Sequence, residues 1–325
     1  MNRSIMKFIK IAVLVVIITF AAIFAYVACN LHQFRGTNTE TVLELKQGEG
    51  LSTLARKLDK ANIIYNKKLF KAFAILLRYD KSLQSGEYVL SSRMSEKQIL
   101  EKISKGKIFY RKITIPEGLT TKEVIKLVDY NTYLTGKITL NLKEGELLPE
   151  TYYFAKGQSR NDILKQMQSA MTKSVDLYWE SRDKNRLNCC IKTKDDLVNL
   201  ASIVEKEALL QNEKPIIAAV YLNRLKKGMR LQADPTVIYG AKNYNGDITY
   251  KMLKEKNEYN TYRISGLPKT AISNPSLLSL KAVSKPDDVN YLYFVADGKG
   301  GHIFAKSYSE HRENVKRYLK LNKSK

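Results

Sequence analysis

The sequence predicts an α+β protein in three parts: a single N-terminal transmembrane helix, a small βααβ module and a larger α+β domain. Three observations carry that expectation. Residues 11–29 are uncharged, two strand-like segments near 41–46 and 86–92 bracket two helical patterns, and beyond residue 110 helical periodicity alternates with turn-rich aromatic stretches. The divisions fall at 1–35, 40–108 and 110–325.

The first element is IAVLVVIITFAAIFAYVAC, Ile11 to Cys29, which runs 19 residues without a charge, close to the roughly 20 that span a bilayer as a helix. Arg3, Lys7 and Lys10 precede it and no acidic residue does, so the positive-inside tendency keeps the N-terminus cytoplasmic and places the rest outside, as a single-pass inner-membrane protein. A cleaved signal peptide has an apolar core of only about 7–15 residues ending at a small-x-small site, and this run is longer. Cys29 follows Tyr-Val-Ala, where the bulky Tyr26 does not fit lipoprotein processing, so Cys29 reads as an apolar residue at the membrane edge.

The net charge of +23 includes three positive charges before the span, leaving +20 beyond it. Such an excess attracts anionic partners: lipid headgroups or an acidic polymer. Nucleic acid is excluded as a partner by the export. Cysteine and histidine exclude more than they suggest. Cys189 and Cys190 are adjacent and lack CxxC spacing, and only His32, His302 and His311 offer imidazoles, so neither a disulfide, nor a metal centre, nor any cofactor is expected.

After the polar joint RGTNTET, Thr41–Lys46 alternates as a short strand. Gly48 and Gly50 turn the chain, and Ser52 is expected to cap a helix carrying Leu54, Ala55 and Leu58. A second helix near Lys68–Leu77 and a returning strand, GEYVLSS at 86–92, complete a βααβ unit that resembles a LysM-type glycan-binding module. GEGLSTLARKL at 48–58 and PEGLTTKEVIKL at 116–127 echo each other as strand, glycine turn, Ser/Thr cap and apolar helix. The basic stretch 105–112 is the joint to the larger domain.

KEGELLPETYYFAKG (143–157) concentrates Leu147, Leu148, Tyr152, Tyr153 and Phe154. Aromatic residues stack on sugars, but the default reading is core. TKDDLVNLASIVEKEALL then reads as a helix with Thr193, Asp195 and Asp196 at its start. At 100° per residue, Leu197, Leu200, Ala201, Val204 and Ala208 share one stripe, with Glu205 and Glu207 on its two flanks, about 80° away on either side. Lys206 points to water. Residues two apart on a helix do not face each other, so the glutamates are not a catalytic pair bracketing one bond. The helical wheel does not choose between them, and both also fit as carboxylates at a helix edge. Asn, Gln, Asp, Thr and Tyr crowd the turns that follow, as in a groove that hydrogen-bonds hydroxyls and amides. GKGGH (298–302) lacks a phosphate-loop context and reads as a tight hairpin.

The blocks SIVEKEA, NRLKKGMRLQADPTVIYG, YNTY, GLPKTAISNP and YLYFVADGKGGHIF, in this order over about 113–320, resemble the endolytic murein transglycosylases of the YceG-like family. The resemblance implies a membrane-anchored enzyme cutting nascent peptidoglycan glycan strands at the MurNAc-β-1,4-GlcNAc bond, ending strand elongation and plausibly partnering peptidoglycan synthases. It assigns the catalytic glutamate to Glu205. One carboxyl group suffices: it protonates the leaving oxygen, then removes the C6 hydroxyl proton as that oxygen closes onto C1 to give a 1,6-anhydro end, with no activated water. Such an acid must begin protonated, which apolar neighbours promote by raising its pKa; Val198, Ala201 and Ala208 are the neighbours expected. Asn223, Gln232, Asp234, Thr236, Tyr239, Asn260, Tyr262 and Asn274 lie in the same blocks and are the expected substrate contacts. LPETYYF departs from the family's Phe-Pro-Asp-Thr-Tyr at Leu148 and Glu150. The rival function is a tethered wall-binding scaffold without catalysis.

Overall fold

The computed structural model describes residues 3–32, 40–242 and 244–323, with side chains at 6–22, 25, 40–242 and 244–320. It contains helices and small two-stranded sheets, divided into two units: 1–111 with 153–156, and 112–152 with 157–325.

The first unit opens with α1 (Arg3–His32), a continuous helix whose side chains from Phe8 to Phe20 are exposed and largely apolar. Among the described residues no helix is long and apolar enough to cross a membrane; the span expected at 11–29 includes positions 23, 24 and 26–29, whose side chains lie outside the described residues. Then follow β1 (Glu40–Leu45), α2 (Leu51–Lys60), α3 (Lys67–Leu76) and β2 (Gly86–Ser91), with β1 and β2 antiparallel in the register Glu40 to Ser91. The βααβ order matches the sequence pattern because alternation in β1 puts Leu43 and Leu45 into one core with Leu54, Leu58, Phe70 and Tyr88. Two details differ. The N-cap of α2 is Gly50 rather than Ser52, without a side-chain cap. An additional helix, α4 (Glu96–Ser104), opens on a Ser95–Gln98 capping box and adds Ile99, Leu100 and Ile103 to the core.

β3 (Arg111–Thr114) pairs with β4 (Thr151–Phe154), and between them lies α5 (Thr121–Asp129), started by a Thr120–Glu123 capping box. In the aromatic stretch Leu147, Leu148, Tyr152 and Phe154 are buried as core, whereas Tyr153 is exposed.

The second unit continues with α6 (Arg160–Glu180), α7 (Lys184–Leu187), α8 (Lys194–Glu207), a 3₁₀ turn (Gln211–Glu213), α9 (Lys214–Lys226), α10 (Asp234–Gly240), α11 (Tyr250–Lys254) and α12 (Leu277–Ser284). It closes with the hairpin β5 (Tyr293–Ala296) and β6 (His302–Ala305), as GKGGH predicts, and α13 (Tyr308–Lys323). α8 is the central element. Leu197, Leu200, Ala201 and Val204 are fully buried in one core with Ile217 and Tyr221 of α9 and Leu280 and Val283 of α12, which is why the apolar stripe read from the sequence folds inward. Contrary to expectation, Cys189 and Cys190 form a vicinal disulfide in the turn after α7; the turn places the two sulfurs on the same side.

Candidate functional site

Thr193 caps α8 through a box with Asp196, and the helix ends at Glu207, with Ala208 already extended at φ −88, ψ 108. Glu205 turns toward the start of α12 and Glu207 sits at the carbonyl end of its own helix.

Glu205 accepts four hydrogen bonds. Its Oε1 accepts from Lys214 Nζ at 2.8 Å, and its Oε2 accepts from the Ser276 backbone N–H at 2.8 Å, Ser276 Oγ at 2.6 Å and Ser279 Oγ at 2.7 Å. Ser276 is the N-cap of α12, so the carboxylate also meets the positive end of that helix. The Lys214 and Glu205 side chains are only 3% and 5% exposed. Burial by itself would raise the Glu205 carboxyl, but the donors from Lys214, Ser276 and Ser279 together hold it below the ordinary 4.5. Lys214 also lies 3.7 Å from Glu117, whose carboxyl is raised by burial and by the Glu205 charge. Of the apolar neighbours expected for Glu205, Val198 faces the 143–146 loop at Gly145 instead.

Glu207 is the opposite case. Its Oε1 accepts one hydrogen bond, from Tyr221 Oη at 2.9 Å. Burial drives its carboxyl up to about 7, the Asp234 charge adds to the rise, and the Tyr221 bond and the Arg224 charge oppose it. A carboxylate at a helix C-terminus is disfavoured for the same reason that one at an N-terminus is favoured. Tyr262 completes this environment by donating to Asp234 Oδ1 at 2.6 Å. Arg224 is fixed by bonds to the carbonyls of Leu292 at 2.6 Å and Leu231 at 2.7 Å, and packs over the Tyr293 ring.

The expected contact residues divide accordingly. Asp234 and Tyr262 join Glu207, and Gln232 is exposed beside them with its backbone in the left-handed region, φ 50. Tyr239 is further off, donating to Glu144 Oε2 at 3.1 Å and packing edge-on against Tyr259. Thr236, Asn260 and Asn274 are fully buried and their polar atoms are used internally. Thr236 bonds Thr261, Asn260 donates to the Met252 and Glu255 carbonyls, and Asn274 joins Leu119 to the Leu147 N–H. Asn223 clamps the carbonyls of Val289 and Tyr291. The polar atoms of these four are engaged within the fold, as burial requires of Thr236, Asn260 and Asn274. Sequence reasoning missed Lys214, Tyr221, Arg224, Ser276 and Ser279. A partial signal existed, since Tyr221 and Arg224 are three apart and share a face of α9. Among the described residues no cluster of His, Cys, Asp and Glu is arranged to hold a metal ion.

A model of the YceG-like family matches residues 43–317. The chain is 30% identical over 317 residues to the endolytic murein transglycosylase of Bacillus subtilis strain 168, covering 88% of this chain and 86% of that protein. It is 26% identical to the endolytic murein transglycosylase of Streptococcus pneumoniae strain R6, covering 86% of this chain and 58% of that longer protein. Among solved structures it superposes on a YceG-like protein of Listeria monocytogenes with a TM-score of 0.54 at 29% identity, covering 85% of this chain and 99% of that one. The chain belongs to the YceG-like family.

Proposed function

We propose that this protein is an endolytic lytic transglycosylase that cleaves MurNAc-β-1,4-GlcNAc bonds in nascent glycan strands, with Glu207 rather than Glu205 as the acid-base group. The activity follows from the names the relatives carry; the choice of residue rests on the partners of the two carboxyls. Glu207 accepts a single hydrogen bond, from Tyr221, and burial raises its carboxyl to about 7. Glu205 is held as a carboxylate, its Oε2 accepting from Ser276 and Ser279 and its Oε1 from Lys214.

In this reading protonated Glu207 delivers its proton to the departing glycosidic oxygen. The resulting carboxylate then takes the proton of the muramoyl C6 hydroxyl as that oxygen bonds to C1, and the 1,6-anhydro ring closes with the acid regenerated. Tyr221 orients the carboxyl through its donor bond. Asp234 and Tyr262 line the approach as substrate contacts. No second carboxylate is needed, because no water is activated.

The finer setting is part of the same proposal. The apolar run 11–29 anchors the chain in the inner membrane with the basic N-terminus inside; the βααβ unit acts as a LysM-like glycan holder; and cutting of nascent strands ends their elongation beside peptidoglycan synthases. The test is incubation of the full chain in detergent with uncrosslinked glycan strands, followed by mass spectrometry for anhydro ends. Wild type and Glu205→Gln should produce them and Glu207→Gln should not; a product-forming Glu207→Gln overturns the assignment.

A further inference from the structure

In the βααβ unit, one helix face is apolar and uncovered. α3 turns Phe70, Phe73 and Ala74 into the core, and the opposite side of such a surface helix is ordinarily polar. Here it is not. At 100° per residue Leu69, Ala72 and Leu76 fall within about 60° of one another, with Ile75 beside them. All four are exposed, Ile75 at 57% and Leu76 at 71%.

Cations frame this face. Lys67, Lys68, Lys71 and Arg78 lie on or just after α3, and no acidic residue occurs between 67 and 78. Lys67 reaches Asp59 at 3.7 Å. Lys68, Lys71 and Arg78 make no ion pair among the described residues. An aliphatic stripe bordered by unpaired cations is the chemistry of a helix lying in a membrane interface, where apolar side chains enter the headgroup and acyl boundary and lysines extend to lipid phosphates.

We infer that the Leu69–Leu76 face of α3 docks on an anionic phospholipid surface, the outer face of the membrane that holds α1. This rests on the membrane anchor of the proposed function. α1 ends at His32 and β1 begins at Glu40, so residues 33–39 keep the start of β1 within about 25 Å of the end of that helix. At this reach every face of so small a unit can meet the bilayer, and the chemistry of the face selects which one does. Other occupants fit less well. Sugars stack on aromatic rings, and this face carries none. The groove between the start of α2 and Lys71 and Asp80 shares only Ile75 with it, so a glycan held there leaves Leu69, Ala72 and Leu76 to the lipid. A second copy of the chain, meeting the same surface across a two-fold axis, would set lysines against lysines.

The test reads lipid contact directly. The full chain is reconstituted in vesicles of phosphatidylcholine and phosphatidylglycerol with uncrosslinked glycan strands added. A photoreactive benzophenone amino acid replaces Ala72 or Leu76, both exposed, or, for comparison, Val42, exposed on the outward side of β1. After illumination, mass spectrometry should find phospholipid adducts at 72 and 76 and few at 42. Lys68→Glu combined with Lys71→Glu, or vesicles without phosphatidylglycerol, should lower the adduct yield at least about tenfold. Absence of lipid adducts at 72 and 76, an equal yield at 42, or a covalent dimer or glycan adduct in their place overturns the docking. Alkaline carbonate extraction reads the anchor separately. A chain that carbonate releases, yet that forms the adducts at neutral pH, overturns the anchor alone; a chain that carbonate leaves in the vesicles without adducts overturns the docking alone.

Discussion

Replacing each glutamate of α8 by glutamine separates their roles in activity and stability at once. Glu207 has a carboxyl at about 7, so at neutral pH about half the molecules carry the acid, whereas the donors around Glu205 lower its carboxyl and keep it ionised. Glu207→Gln removes general acid-base catalysis, an effect of about 10²–10⁴ in rate, or about 3–5 kcal/mol of activation free energy. Its effect on stability has the opposite sense. The unfolded chain releases the proton near 4.5 and the folded chain holds it to about 7, so between those pH values the folded state binds more protons and stability falls as pH rises, by at most about 3 kcal/mol. Glutamine keeps the acceptor for Tyr221 and removes that penalty, so Glu207→Gln should melt higher than wild type at pH 8, by about 2–4 °C for each kcal/mol regained. Glu205→Gln should melt lower. Lys214, 3% exposed, loses the nearer of two counter-charges and keeps Glu117 at 3.7 Å, which costs up to about 3–5 kcal/mol. Glu205 stabilises above its folded-state pKa, and this contribution disappears as pH falls through that value, below 4.5. The assays are mass spectrometry of anhydro ends and thermal melts at pH 5 and pH 8. Were Glu207→Gln to stay within tenfold of wild-type rate, while Glu205→Gln lost all product with an unchanged melt, the assignment would be refuted.

Other outcomes follow from the same geometry. Tyr221→Phe removes the donor that lowers the Glu207 carboxyl, so the alkaline limb of the pH–rate profile should move to higher pH; a limb that stays fixed separates the tyrosine from the acid. Lys214→Met leaves Glu205 buried without its cation and should cost about 3–5 kcal/mol in denaturant melts, a loss that Glu205→Gln in the same chain should partly restore through coupling. Gly145→Ala forces a left-handed φ of 84 on a side-chain residue and drives its Cβ to 2.9 Å from Ala271, so it should destabilise by about 1–3 kcal/mol.

Much of the framework was legible because it is encoded locally. The helices of the βααβ unit, the capping boxes at Thr120 and Thr193 and the β5–β6 hairpin each depend on residues a few positions apart, where periodicity and capping chemistry operate. The site was less legible. Thr236, Asn260 and Asn274 have the side chains of a sugar-binding groove, yet their partners are Thr261, backbone carbonyls near 252–255 and loops near 119 and 147. An amide inside a fold and an amide facing a ligand look alike in sequence, since only burial distinguishes them. Likewise the adjacent cysteines gave no sign that the turn after α7 would bring them into a bridge.

Glu205 and Glu207 show where the division lies. Sequence by itself set them on one amphipathic helix, on opposite flanks of its apolar stripe, because side-chain direction repeats with the helical turn. It left their flanks equivalent. The fold distinguishes them by bringing Lys214, Ser276 and Ser279 to one carboxyl and Tyr221, Arg224 and Asp234 to the other. Proton affinity depends on the charges and dipoles within a few ångströms in space, and here those arrive from as far as 74 residues away along the chain.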